Sequence, residues 1–149
     1  MKRFALFGAL LAASAFAACS NGGESDTGCS KPTAGLPVLL YPAPNATGIL
    51  PNFGFVAVYN LGGAGGSLVL NPVGGGSPLS GAQFTRASPG PLPSPSATAP
   101  AGATVYTSVV PDNFSSGETY EVDFVHNAQP PCGPQQPSGV IGEFTIAGG

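Results

Sequence analysis

The side chains able to do chemistry in this 149-residue chain are few: three cysteines, Cys19, Cys29 and Cys132, a single histidine, His126, and seven acids. Glu121, Asp123 and His126 stand close together and invite a metal or acid/base reading. On a strand, however, side chains alternate between faces, so Tyr120, Val122, Phe124 and His126 share one face while Glu121 and Asp123 share the other. The histidine is thereby separated from both acids, unless a bulge resets the alternation. The reading that follows is a histidine at the rim of a core beside two solvated carboxylates.

Other constellations carry less. The glycine runs 62–66 and 74–76 lack the following helix start, and the Lys or Ser/Thr in fixed register, that a phosphate cradle needs; the first leads directly into Ser67-Leu68-Val69-Leu70, a strand. None of the many serines sits in a Gly-x-Ser-x-Gly elbow, and His126 is the only base any hydrolase could use. Asn45-Ala46-Thr47 and Asn113-Phe114-Ser115 have the form of glycosylation acceptors but read as turns, which Asn favours. The expectation is a protein with no catalytic residue, no metal and no cofactor.

What decides the setting of these groups is the N-terminal stretch. Lys2 and Arg3 start it, an uncharged apolar run follows from Phe4 to Ala17, and Phe16-Ala17-Ala18-Cys19 closes it, the three parts of a secretory signal. The run is shorter than the ~20 apolar residues a membrane-spanning helix needs. Ala17-Ala18 also fits an ordinary cleaved secretory peptide, which would leave Cys19 as an unpaired thiol. The closing tetrapeptide resembles a bacterial lipoprotein box, with Phe16 where Leu is usual. The resemblance implies that residues 1–18 are removed and that Cys19, the new N-terminus, carries palmitate-type acyl chains. Two or more such chains, each stabilised by about 0.8 kcal/mol per buried methylene, hold a protein firmly on a membrane. Ser20, in place of the aspartate of the best-known retention rule, points to the outer membrane of a bacterial envelope. With Cys19 on lipid, Cys29 and Cys132 remain, an even number in an exported protein, and are expected to form a disulfide. In the chain-entropy account a loop of that length contributes up to about 4.7 kcal/mol. The same two cysteines and one histidine do not have the spacing of a structural zinc site.

Composition bounds the remainder. Loss of Lys2 and Arg3 leaves Lys31 and Arg86 against seven acids, a formal charge of −5. That leaves no basic patch for nucleic acid. Gly 23 and Pro 17 would by themselves suggest low complexity, but nine Phe, four Tyr and only 7% charged residues give a chain with enough apolar surface for one core. Residues 19–35 read as the lipidated N-terminus and a flexible tether, and 36–149 as a single domain.

Within that domain short β-type runs recur between turn signals and no stretch has helical period, the pattern of an all-β sandwich or barrel. Strands are predicted at 37–41, 53–60, 67–71, 81–86, 103–110, 119–127 and 140–147. Residues 42–52, 61–66, 72–78, 88–100 and 128–139 are read as connections. Phe114-Ser115-Ser116-Gly117-Glu118-Thr119-Tyr120, followed by Val122 and Phe124, resembles the corner before the sixth strand of fibronectin type III and bacterial Ig-like domains. Pro44-Asn45-Ala46-Thr47-Gly48-Ile49-Leu50-Pro51 and Gly142-Glu143-Phe144-Thr145-Ile146 are similar to the opening turn and closing strand of such modules. The resemblance implies an Ig-like antiparallel β-sandwich of about seven strands. It further implies that Phe114, Gly117 and Tyr120 form a tyrosine corner, the hydroxyl bonding back to the loop backbone. Strand parity then places the start of the first strand, residues 61–66 and the loop holding Cys132 at one end of the sandwich, with the loops around Ala46 and Asp112 at the other.

These observations lead to a lipid-anchored envelope protein whose domain binds, adheres or spaces without catalysis. A second reading is an accessory glycan or peptide binder that uses the Pro/Ser stretch and exposed Tyr or Phe. A small hydrolase relying on His126 is the third.

Overall fold

In the computed structural model the described residues are 35–62, 65–88, 90–127 and 136–149. They form two sheets and contain no helix. The strands are β1 (Val38–Tyr41), β2 (Ala46–Ile49), β3 (Phe55–Tyr59), β4 (Gly66–Pro72), β5 (Leu79–Ser80), β6 (Thr85–Arg86), β7 (Val105–Val109), β8 (Thr119–His126) and β9 (Gly139–Ile146). One sheet has the order β1-β3-β7-β6 and the other β2-β9-β8-β4-β5. All pairs are antiparallel except β2 with β9.

The sandwich forms because period-two patterning gives each long strand one apolar side. On β8 it buries Tyr120, Val122 and Phe124, and on β4 Leu68 and Leu70. Facing them from the first sheet are Leu39, Val56 and Val58, all fully buried. Each such side chain contributes about 1.5–3 kcal/mol through removal from water. On β9 the alternation breaks, since Gly142 pairs with Val122 but Val140 with Asp123, leaving Ile141 as an extra residue.

Three departures from the sequence reading have physical causes. Residues 42–52, expected as a connection, contain β2. Between Tyr41 and Ala46, where Asn45 takes φ 62°, the chain passes from the first sheet to the second without reversing, so β2 continues in the direction of β1 and pairs with β9 in parallel. Of the strand expected at 81–86 only its end, β6, forms, and a second short strand, β5, precedes it at 79–80 in the other sheet. Between them Gly81 presses on Leu68, where a Cβ would stand 2.7 Å from the Leu68 side chain, and Phe84 turns inward to Phe124 at 6.2 Å. Among the described residues nine strand segments therefore replace about seven. Gly66, placed in a connection, is buried in β4, and a Cβ there would collide with the Phe124 ring; it is glycine because the ring occupies that space.

The Pro/Ser stretch is not an exposed arm. It folds over the outer face of the first sheet, where Leu92, Ala97 and Ala99 pack with Leu40, Tyr41 and Ala57 in a second apolar cluster. Ala97 N donates to Leu40 O (2.8 Å) and Ala43 N to Pro95 O (3.0 Å), so the stretch covers the free edge of β1.

Candidate functional site

Cys19, Cys29 and Cys132 lie outside the described residues, and with them the expected lipidation and disulfide. What the structure does give is the ground around two of them. Gln136, four positions after Cys132, is 4% exposed, and its amide ties three chain segments together at one end of the sandwich. Its Nε2 donates to Gly35 O and Asn60 O, both at 2.8 Å, and its Oε1 accepts from Gly62 N at 2.7 Å. Asn60 Nδ2 adds a bond to Leu36 O at 3.3 Å. The segment entering β1, the β3–β4 connection and the chain entering β9 thus meet at this near end. A buried amide is tolerated because its hydrogen-bonding capacity is used.

The opposite, far end is built from rings. Phe53, Phe114, Tyr120 and Phe144 pack with centroids 4.9–6.2 Å apart, Phe114 standing at 90° to Tyr120. Phe114 lies midway along the β7–β8 connection, Gly117 takes φ 73° in the turn, and Tyr120 enters the core from the second position of β8. Ser115 N donates to the Tyr120 hydroxyl at 3.0 Å. The ring fills the core while its hydroxyl satisfies a backbone donor that the turn would otherwise leave open.

Glu121, Asp123 and His126 are not brought together. The β4–β8 register is unbroken from Asn71 opposite Glu121 to Gly66 opposite His126. Both acids therefore face away from the core, and the bulge that could have reset them lies on β9 instead. Asp123 accepts from Asn71 Nδ2 at 2.5 Å, and Glu121 stands opposite Glu143. His126 Nδ1 donates to Asn127 O at 2.7 Å, which fixes its proton on that nitrogen. Among the described residues no group of three His, Cys, Asp or Glu is arranged to hold a metal ion, and no helix is long and apolar enough to cross a membrane. Of the second glycine run, Gly74 N binds Glu118 Oε1 at 2.7 Å, so this turn is closed by a carboxylate of the chain itself.

Sequence reasoning passed over Gln136 and Tyr41. Gln136 lies in a Pro-rich connection where a polar residue carries no periodic signal. Tyr41 ends a short apolar run and reads as one more core residue. No protein family, curated relative or solved structure matches the chain.

Proposed function

We propose that the chain is a lipid-anchored protein of the bacterial cell envelope, held in the outer membrane by acyl chains on Cys19, whose domain is an Ig-like sandwich acting as a non-catalytic binding, adhesion or spacer module. The observation that carries the proposal is the sequence Lys2-Arg3, the apolar run to Ala17, and Ala18-Cys19. The Ig-like reading is supported by strand order. Matching β1, β3, β7 and β6 to strands A, B, E and D, and β9, β8, β4 and β5 to G, F, C and C′, reproduces the two sheets of that architecture, with the first strand divided between them.

The proposed Cys29–Cys132 bond draws support from the near end. Gly35 follows Cys29 by six residues, Gln136 follows Cys132 by four, and the two are joined by a hydrogen bond of 2.8 Å. At about 3.3–3.6 Å per residue, both sulfurs are within chain reach of each other without any change in the described fold. The pairing would lock together segments that Gln136 already holds.

Treating cells with globomycin, which blocks lipoprotein maturation, is expected to accumulate a larger precursor. Mass spectrometry of the purified protein is expected to find residue 19 as the acylated N-terminus. An unmodified Cys19 overturns the anchor. Two titratable thiols in the folded, unreduced protein overturn the disulfide and leave the anchor standing.

A further inference from the structure

We infer that a cleft at the far end of the sandwich is a binding subsite for one neutral sugar ring. The cleft has a volume of about 160 Å³ and is lined by Tyr41, Leu50, Asn52, Phe53, Ser94 and Pro95. It lies where the end of β1, the β2–β3 turn and the covering Pro/Ser stretch meet. Tyr41 is 6% exposed and its hydroxyl makes no hydrogen bond to any described residue. Among the described residues no fully buried polar side-chain atom lacks a partner. The Tyr41 hydroxyl therefore keeps some solvent access, and Tyr41 is one of the residues that line the cleft. Burial also raises the phenol above its ordinary value of 10.0, so it remains a donor at neutral pH.

Size and chemistry select the ligand. The volume lies well below the roughly 300–1,000 Å³ of sites that enclose a drug-sized molecule, so a single ring is what fits. No lining residue is charged, which disfavours an ion. Aromatic and aliphatic surface comes from Phe53, Leu50 and Pro95, with Leu50 64% exposed at the rim. Tyr41, Asn52 and Ser94 add a phenol, an amide and a hydroxyl. A pyranose presents both halves of the complement, C–H faces for the ring and hydroxyls for the polar groups. A prolyl residue presents C–H faces and one carbonyl acceptor but no donor, so it can take the Tyr41 hydroxyl yet cannot also donate to Asn52 Oδ1 or Ser94 Oγ, as pyranose hydroxyls can. The inference does not depend on how the chain is anchored.

The test uses the full chain in micelles of a detergent without a sugar headgroup. Saturation-transfer NMR is run with methyl α-glucoside, the methyl β-glycoside of N-acetylglucosamine, and hexaproline as probes. A single ring is expected to bind at roughly millimolar Kd. At least one glycoside is expected to receive saturation on its ring C–H protons. Tyr41→Phe is expected to weaken it about 5-fold, the effect of one hydrogen bond. Asn52→Ala, at an exposed turn position, is expected to weaken it similarly. Absence of transfer to both glycosides at about 10 mM, equal transfer in Asn52→Ala and the parent, or transfer to hexaproline alone would each overturn the inference.

Discussion

The two ends of the sandwich are held by different physics. At the far end four rings, Phe53, Phe114, Tyr120 and Phe144, fill the space between sheets, and one hydrogen bond, Ser115 to Tyr120, finishes the corner. At the near end the β3–β4 connection is glycine-rich, with Leu61 its one large apolar residue, and a single glutamine amide joins backbone groups of three segments. The difference teaches that volume and hydrogen bonding substitute for one another where the local sequence forbids one of them. It also shows the risk of each arrangement. A truncated ring leaves a cavity that neighbours partly refill, whereas loss of the amide releases several strands of chain at once.

That contrast can be broken by measurement. The largest effect is expected for Phe144→Ala, which removes a fully buried ring touching three others and should cost about 3–5 kcal/mol in urea unfolding. Gln136→Ala should cost about 2 kcal/mol, less than three orphaned groups would suggest, because Gly35 and Asn60 are exposed and water can reach their carbonyls. Hydrogen exchange should locate that loss in β1 and the entry to β4 and leave β8 protected. If Gln136→Ala proves costlier than Phe144→Ala, the near end, not the ring cluster, is the stability determinant. Tyr120→Phe isolates the corner bond and should cost about 1 kcal/mol with no change in denaturant slope.

The smallest effect concerns pH. Burial raises the Tyr41 phenol above 10.0. Its contribution to stability is complete below the unfolded value near 10 and declines as pH rises through and beyond it, because the unfolded chain ionises first. Tyr41→Phe should therefore flatten part of the fall in melting temperature between about pH 9.5 and 11.5, and an unchanged slope would show that this phenol is not shielded.

What could be read from sequence was the period-two signal and little else. Thr119 to His126 alternates cleanly, so β8 and the separation of His126 from Glu121 and Asp123 were legible. β2 was not, since Ala46-Thr47-Gly48-Ile49 lies between Pro44 and Pro51 and gains its ladder only from the distant β9. Within residues 81–86 only Phe84 and Thr85 favour a strand; Gly81 was the available sign of a break, but not of a change of sheet. Prolines in 88–100 correctly argued against a ladder strand, yet the apolar residues among them, Leu92, Ala97 and Ala99, were the available sign that the stretch covers something. Gln136 is legible only once three segments are known to converge.

The chain enters β1 at one extremity of the body and leaves β9 at the other, and β2 runs beside β9 in the same sense. With Cys29 and Cys132 reduced, tension applied between the termini acts along these two strands, sliding them past one another instead of peeling them apart, whereas the proposed disulfide would pass the load directly into β9. Ladder bonds that cross the strand axis are then strained together and not in sequence. A body wired this way resists traction better than its modest size suggests.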